Sequence, residues 1–251
     1  IERDRKHPDE LVVSLNLRDR KYFDAHRISI LTGEEKLDTQ NPGDVEGWAT
    51  DADFLVRGAQ ARDPADGSTI LRVRDDANSP WRDLLRLPPE ENGDFVDFTA
   101  DGKAAYVTTS IGSDVTRLVK LDLATGKELE TIATDPRCDV GGVFIHPETP
   151  IIQAVGVNYL RNEWKVLDKS IEADHAAIRK LTPGDYSVVS RDRADRIWIV
   201  VTTVSDGPVK WYAYDRQTKK ATFLFTNQPA LEKLQLTKIE GVVIEARHLC
   251  M

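Results

Sequence analysis

Residues 94–136 read DFVDFTADGKAAYVTTSIGSDVTRLVKLDLATGKELETIATDP, and this stretch decides the fold. Four short strand-like runs stand in it, at 95–98, 104–109, 116–122 and 128–133. In VTRLVKLDL apolar and polar residues alternate, the signature of a strand with one buried face. Turn residues part the runs, Ala100-Asp101-Gly102 after the first and Thr125-Gly126 after the third. Glycine takes φ > 0 at no steric cost, so both are tight-turn signals. Four antiparallel strands of this size make one blade of a β-propeller, a fold that repeats every roughly 40–50 residues.

The turns recur at that period. The turn before the fourth strand falls at Gly33, Pro80, Gly126, about Asp174 and Lys219, with spacings of 47, 46, 48 and 45. The turn between the first two strands falls at Asp51, Asp101, Glu148 and Asp195, with spacings of 50, 47 and 47. The sequence therefore predicts an all-β chain, a β-propeller of about five four-stranded antiparallel blades. The blades cover about 1–43, 44–91, 92–136, 137–183 and 184–230, and residues 231–251 form a tail. The alternative is an ordinary β-sandwich with evenly spaced turns.

Three places depart from the repeat. Arg3, Asp4, Arg5 and Lys6 are poor strand formers, so the first blade is expected to be incomplete and to begin near Leu11. VVIEA at 242–246 is a candidate extra strand that would complete it. In KSIEADHAAIRKL, residues 169–181, Ile171, Ile178 and Leu181 lie at helical spacing. Ser170 is placed as an N-cap, and Glu172 and Asp174 fall in the first turn. A short helix is expected near 170–181, replacing or covering an outer strand, with His175 exposed on it. Trp48, Trp198, Trp211, Tyr212 and Phe223 are expected to fill the space between blades.

The chain has 251 residues, enough for one large core, and a formal net charge of −8. That balance speaks against a nucleic-acid or anionic-membrane partner, which would need a basic patch. No apolar run approaches the ~20 residues of a spanning helix. The opening residues 1–6 are charged, so no signal peptide is read. Cys138 and Cys250 make no CxxC pattern. A reducing, cytoplasmic location is the expectation.

The search for chemistry yields little. No serine sits in G-x-S-x-G; Ser113 follows Gly112 directly. His7, His26, His146, His175 and His248 show no metal-ligand spacing, and no cofactor is implied. His146, before Pro147, reads as structural, and Gly141-Gly142 as a site of close packing. Asp51, Asp53, Glu90, Glu91 and Asp94 could supply a carboxylate pair for glycan hydrolysis, or could be turn residues and solvated edges. The loop Tyr159-Leu160-Arg161-Asn162-Glu163-Trp164 stands out. Tyr159, Arg161 and Trp164 could contact a peptide carboxylate or another domain, or could pack one blade on the next.

Two segments carry a family resemblance. WKVLD at 164–168, the expected helix, and residues 185–247, with YDRQTKKATFLFTNQPALE and GVVIEAR, resemble the last propeller blade of prolyl-oligopeptidase-family serine hydrolases. The likeness is greatest to the acylaminoacyl-peptidase-like branch. DPRCDVGGVFIHPETPIIQAVGVNYLRNEW at 135–164 resembles the preceding blade. In that family a propeller of usually seven blades precedes an α/β-hydrolase domain and admits only small or unstructured peptides.

The resemblance implies an internal piece of such a protein: about five blades, without the N-terminal blades and without the catalytic domain. Residues 247–251 leave the family pattern, and no family catalytic residue has a counterpart. The implied function is a non-catalytic propeller that gates substrate and docks a hydrolase domain. The alternatives are a five-bladed glycan hydrolase and a stand-alone protein-interaction platform. Seven-bladed geometry turns about 51° per blade, so five such blades would expose strand edges and invite a homodimer.

Overall fold

The computed structural model describes Glu2 and residues 6–244. It is a β-propeller of five small antiparallel sheets with one short α-helix. The chain divides into two compact units, Ile1–Ile152 and Gln153–Met251, taken here in turn.

The first unit opens with a three-stranded blade of β1 (Glu10–Asp19), β2 (Tyr22–Ser29) and β3 (Glu35–Thr39). The next blade has β4 (Val45–Thr50), β5 (Val56–Arg62), β6 (Thr69–Val73) and β7 (Arg82–Leu87). The third has β8 (Gly93–Phe98), β9 (Ala104–Thr109), β10 (Arg117–Asp122) and β11 (Glu128–Ala133). Then comes β12 (Val140–Ile145). Among the described residues the first blade has three strands, and residues 6–9 form none. Glu2 makes one isolated antiparallel bridge to Val12, with N···O distances of 2.8 and 3.2 Å. Residues 242–244 form no strand, so VVIEA does not complete that blade; Glu245 and Ala246 lie outside the described residues.

Blades two and three share one apolar core. Leu71, Val73, Leu84 and Leu87 pack on Phe98, Val107, Val119, Leu121 and Leu123, all buried. Each such side chain stabilises by roughly 1.5–3 kcal/mol. Gly126 sits where this packing is tightest. Its φ is +69°, and a Cβ there would lie 2.6 Å from the Leu84 carbonyl oxygen. Only glycine satisfies both constraints.

Arginines tie neighbouring blades. Arg27 of β2 donates to the Phe54 carbonyl at 2.8 Å and lies 4.9 Å over the Phe54 ring. Arg57 of β5 reaches the Gly102 carbonyl at 3.4 Å and lies over Phe98. Both carbonyls belong to the first-to-second-strand turn of the next blade. Arg74 is buried, donates to Thr39 Oγ1 at 2.7 Å and stacks on Trp81. Trp48 does span two blades, donating to the Phe23 carbonyl at 3.1 Å.

In the second unit, β13 (Ile152–Asn158) and β14 (Asn162–Val166) form a hairpin, followed by α1 (Glu172–Arg179). The last blade is β15 (Asp185–Arg191), β16 (Ile197–Thr203), β17 (Lys210–Asp215) and β18 (Lys220–Thr226), in that order. Ser170 is not the cap. Asp168 takes that role, accepting from Ser170 N at 2.9 Å and starting a 3₁₀ turn, Lys169–Ile171, that runs into α1. Ile171 and Ile178 are fully buried, as their spacing required, and Leu181 lies beyond the helix. His175 is buried rather than exposed, because α1 turns that face towards Trp164, Tyr186 and Trp198.

The aromatic expectation holds only in part. Trp198 is fully buried, whereas Trp211 and Tyr212 lie on β17 beside Phe225 and Phe223 of β18. Phe223 is half exposed and fills no gap between blades. Among the described residues, no helix is long and apolar enough to cross a membrane.

Candidate interaction site

The sequence singled out the β13–β14 hairpin, and its register is regular: Gly156 opposes Trp164, Val157 opposes Glu163 and Asn158 opposes Asn162. That leaves Tyr159, Leu160 and Arg161 at the tip. Arg161 Nε donates to Asp185 Oδ1 at 3.2 Å. Trp164 Nε1 donates to the Tyr186 carbonyl at 3.0 Å. Both residues thus reach from the hairpin to β15, which is blade-to-blade packing. Tyr159 and Leu160 remain on the surface, 43% and 49% exposed.

Beneath the hairpin lies a buried polar cluster. His175 Nδ1 and Tyr186 Oη are 2.9 Å apart. Burial holds the His175 ring down to about 4, against the opposing pull of Asp174. Asp174 itself is fully buried. It accepts from Tyr214 Oη at 3.0 Å, Arg216 Nε at 3.1 Å and Lys219 Nζ. Arg216 also donates to Asp195 Oδ2 at 2.6 Å and lies 4.7 Å over the Trp198 ring. Burial first, then the Asp174 carboxylate, push the Tyr214 hydroxyl up. These groups spend their hydrogen bonds on one another and fasten α1 to the last blade.

The segment after β18 comes back to the hairpin end. Ile239 N donates to Ser205 Oγ at 3.1 Å, and Gly241 lies against Leu160. Leu234, Ile239, Val242, Val243 and Ile244 are all exposed. Tyr159, Leu160 and this segment therefore gather an apolar surface at one end of the second unit. Sequence reasoning found the hairpin but missed the segment's part in it. The pattern L-x₄-I-x₂-VVI after residue 233 was the available signal.

The other candidates resolve into structural roles. Asp51 accepts from the backbone N of Asp53 and Leu55 at 3.0 Å each and pairs with Arg57 at 3.2 Å. Glu91 accepts from Ser110 Oγ. Asp51 and Asp53 lie in the β4–β5 turn, whereas Glu90 and Glu91 lie in the β7–β8 connection and Asp94 near the start of β8, at the opposite end. A six-residue strand separates those ends by roughly 20 Å, beyond the reach of a glycosidase pair drawn one from each end. Ser113 caps a turn, accepting from Val115 N at 3.3 Å. His146 Nδ1 accepts from Glu148 N at 3.2 Å and Thr149 N at 3.1 Å. His7 stacks on Phe54, and His26 Nδ1 pairs with Glu35. Gly141 and Gly142 are exposed on β12. His248 and Cys250 lie outside the described residues. Among the described residues, no three His, Cys, Asp or Glu side chains gather to hold a metal ion.

Over 96% of its length the chain is 36% identical to dipeptidyl aminopeptidase BIII of Pseudoxanthomonas mexicana, covering 35% of that protein. The chain is a propeller homologous to part of a dipeptidyl aminopeptidase. It is also 26% identical, over 95% of its length, to dipeptidyl peptidase family member 6 of Caenorhabditis elegans, covering 33% of it. The chain thus spans about a third of the length of the curated relatives it matches. Prolyl oligopeptidase B from Galerina marginata superimposes with a TM-score of 0.58 at 14% identity. That match covers 89% of this chain and 33% of the other, and it establishes a shared fold. No family model matches the chain.

Proposed function

We propose that this chain is the non-catalytic propeller of a dipeptidyl-peptidase-like serine hydrolase, and that it gates peptide access to a hydrolase domain docked on the hairpin end. The observation that carries this reading is the exposed apolar surface of Tyr159, Leu160 and residues 234–244. Apolar surface gathered at one end of a β-propeller favours a partner domain there over bare solvent. The similarity to dipeptidyl aminopeptidase BIII supports the choice of partner. Steric selection asks only for a rigid rim, which the Arg161–Asp185 and Trp164–Tyr186 contacts supply.

The test is a graft. This chain replaces the matched segment of the Pseudoxanthomonas enzyme, and the chimera is assayed with short peptides and with a folded protein. The expected result is dipeptidyl aminopeptidase activity on the former alone, reduced by Leu160→Asp. An inactive but folded chimera rejects the reading. So does covalent labelling of the isolated 251-residue chain by a serine-directed fluorophosphonate.

A further inference from the structure

The outer strand of a propeller blade leaves one edge unpaired, and soluble proteins guard such edges with charge. The outer strands of the first three blades follow that rule. β3 reads EKLDT, β7 reads RDLLRL and β11 reads ELETIA. Each carries at least two charged side chains. β18 reads KATFLFT and carries one charge, Lys220, at its start. Among the described residues it pairs with β17 alone. Phe223, Leu224 and Phe225 are 50%, 44% and 53% exposed. All four strands have a bulge against their inner neighbour, so the missing charge is what sets β18 apart.

The edge is also braced from behind. Phe225 stacks on Trp211 at 5.0 Å, and Phe223 meets Tyr212 edge-on at 5.7 Å. One aromatic pair thus holds the strand to β17 near each of the two exposed phenylalanines.

We propose that β18 is an interface between two copies of this chain, the strands pairing antiparallel about a two-fold axis near Phe223. An antiparallel edge is self-complementary, and charge favours this arrangement over others. Lys219 and Lys220 of one copy fall opposite Asn227 and Thr226 of the other. The two basic ends are then held roughly 20 Å apart, more than two Debye lengths at physiological salt. A strand such as β3, β7 or β11 would instead set charge against the phenylalanines. The partner's β18 offers Phe and Leu, and cross-strand aromatic pairs are favourable.

Sedimentation velocity on the 251-residue chain, from about 1 to 100 µM, tests this; a small edge interface dissociates in the weak, transient range. A monomer–dimer equilibrium is expected. Leu224→Lys, at a surface position, should raise its dissociation constant at least about tenfold through like charges set close across the axis. Leu129→Lys on β11, also a surface position, should leave it unchanged. Hydrogen exchange of β18 amides should slow as concentration rises. A monomer throughout the range, or a dimer indifferent to Leu224→Lys with the variant folded by circular dichroism, overturns the proposal.

Discussion

Arg216 joins three parts of the second unit at once: α1 through Asp174, the β15–β16 turn through Asp195, and β16 through the Trp198 ring. Removing it takes one of two cationic partners from the fully buried Asp174 carboxylate, which keeps Lys219 and Tyr214. Arg216→Met should therefore cost about 1.5–3 kcal/mol in urea denaturation, the usual range for a lost hydrogen bond to a charged group. Lys219 still reaches Asp174, which places the expected loss at the lower end of that range. His175 gives a pH test. Its folded pKa of about 4 lies below the ordinary histidine value of 6.5, so between those values the unfolded state binds more protons. Stability is present above about pH 6.5 and falls as pH drops towards 4. Melting temperatures across that window should show this slope, and His175→Gln should flatten it. Asp24 acts lower down. The Arg18 hydrogen bond and then the Asn41 backbone N–H hold its carboxyl below the usual range. Its contribution is lost only as pH falls below about 4, the unfolded carboxylate range.

The turns that betrayed the fold differ in what they demand. Gly33 and Gly126 are equivalent in the repeat and have nearly equal φ, +73° and +69°. Nothing lies within 4 Å of a Cβ at Gly33, whereas Gly126 faces the Leu84 carbonyl oxygen at 2.6 Å. Gly33→Ala should cost about 1–2 kcal/mol, the left-handed penalty alone. Gly126→Ala should cost clearly more, and the difference measures the contact between blades two and three. Lys219 stands at the equivalent place in the last blade with φ +57°. Its salt bridge to Asp174 accompanies a backbone that glycine would adopt freely. Strands were legible because each turn and each alternation is local; β9 and β11 begin and end where the pattern put them. The helix cap was misread because both Asp168 and Ser170 are good capping types, and only geometry chooses between them. The burial of His175 was invisible because its neighbours Tyr186 and Trp198 lie 11 and 23 residues further on. The hairpin tip was visible from YLRNEW, but its bonds to Asp185 and Tyr186 were not, for the same reason.

On the scale of the molecule, the period of about 47 residues made the architecture readable, since the blades of the first unit lean on one another through the same kinds of contact. Arg27 with Phe54 and Arg57 with Phe98 repeat one clamp at successive junctions. Arg27→Ala should lower the melting temperature and raise proteolysis within the first blade before the rest. Uniform cleavage along the chain would show that the clamp is dispensable. Function was harder to read, because an interaction surface of the kind proposed has no motif. The second blade also carries a built-in spectroscopic label. Trp48 and Trp81 lie 5.9 Å apart with their rings inclined by 43°, close enough for their electronic transitions to couple. Trp81 also stacks on Arg74, which bonds Thr39 of the first blade. An exciton signal in the circular dichroism would therefore track the seating of the first blade on the second, without any dye or tag.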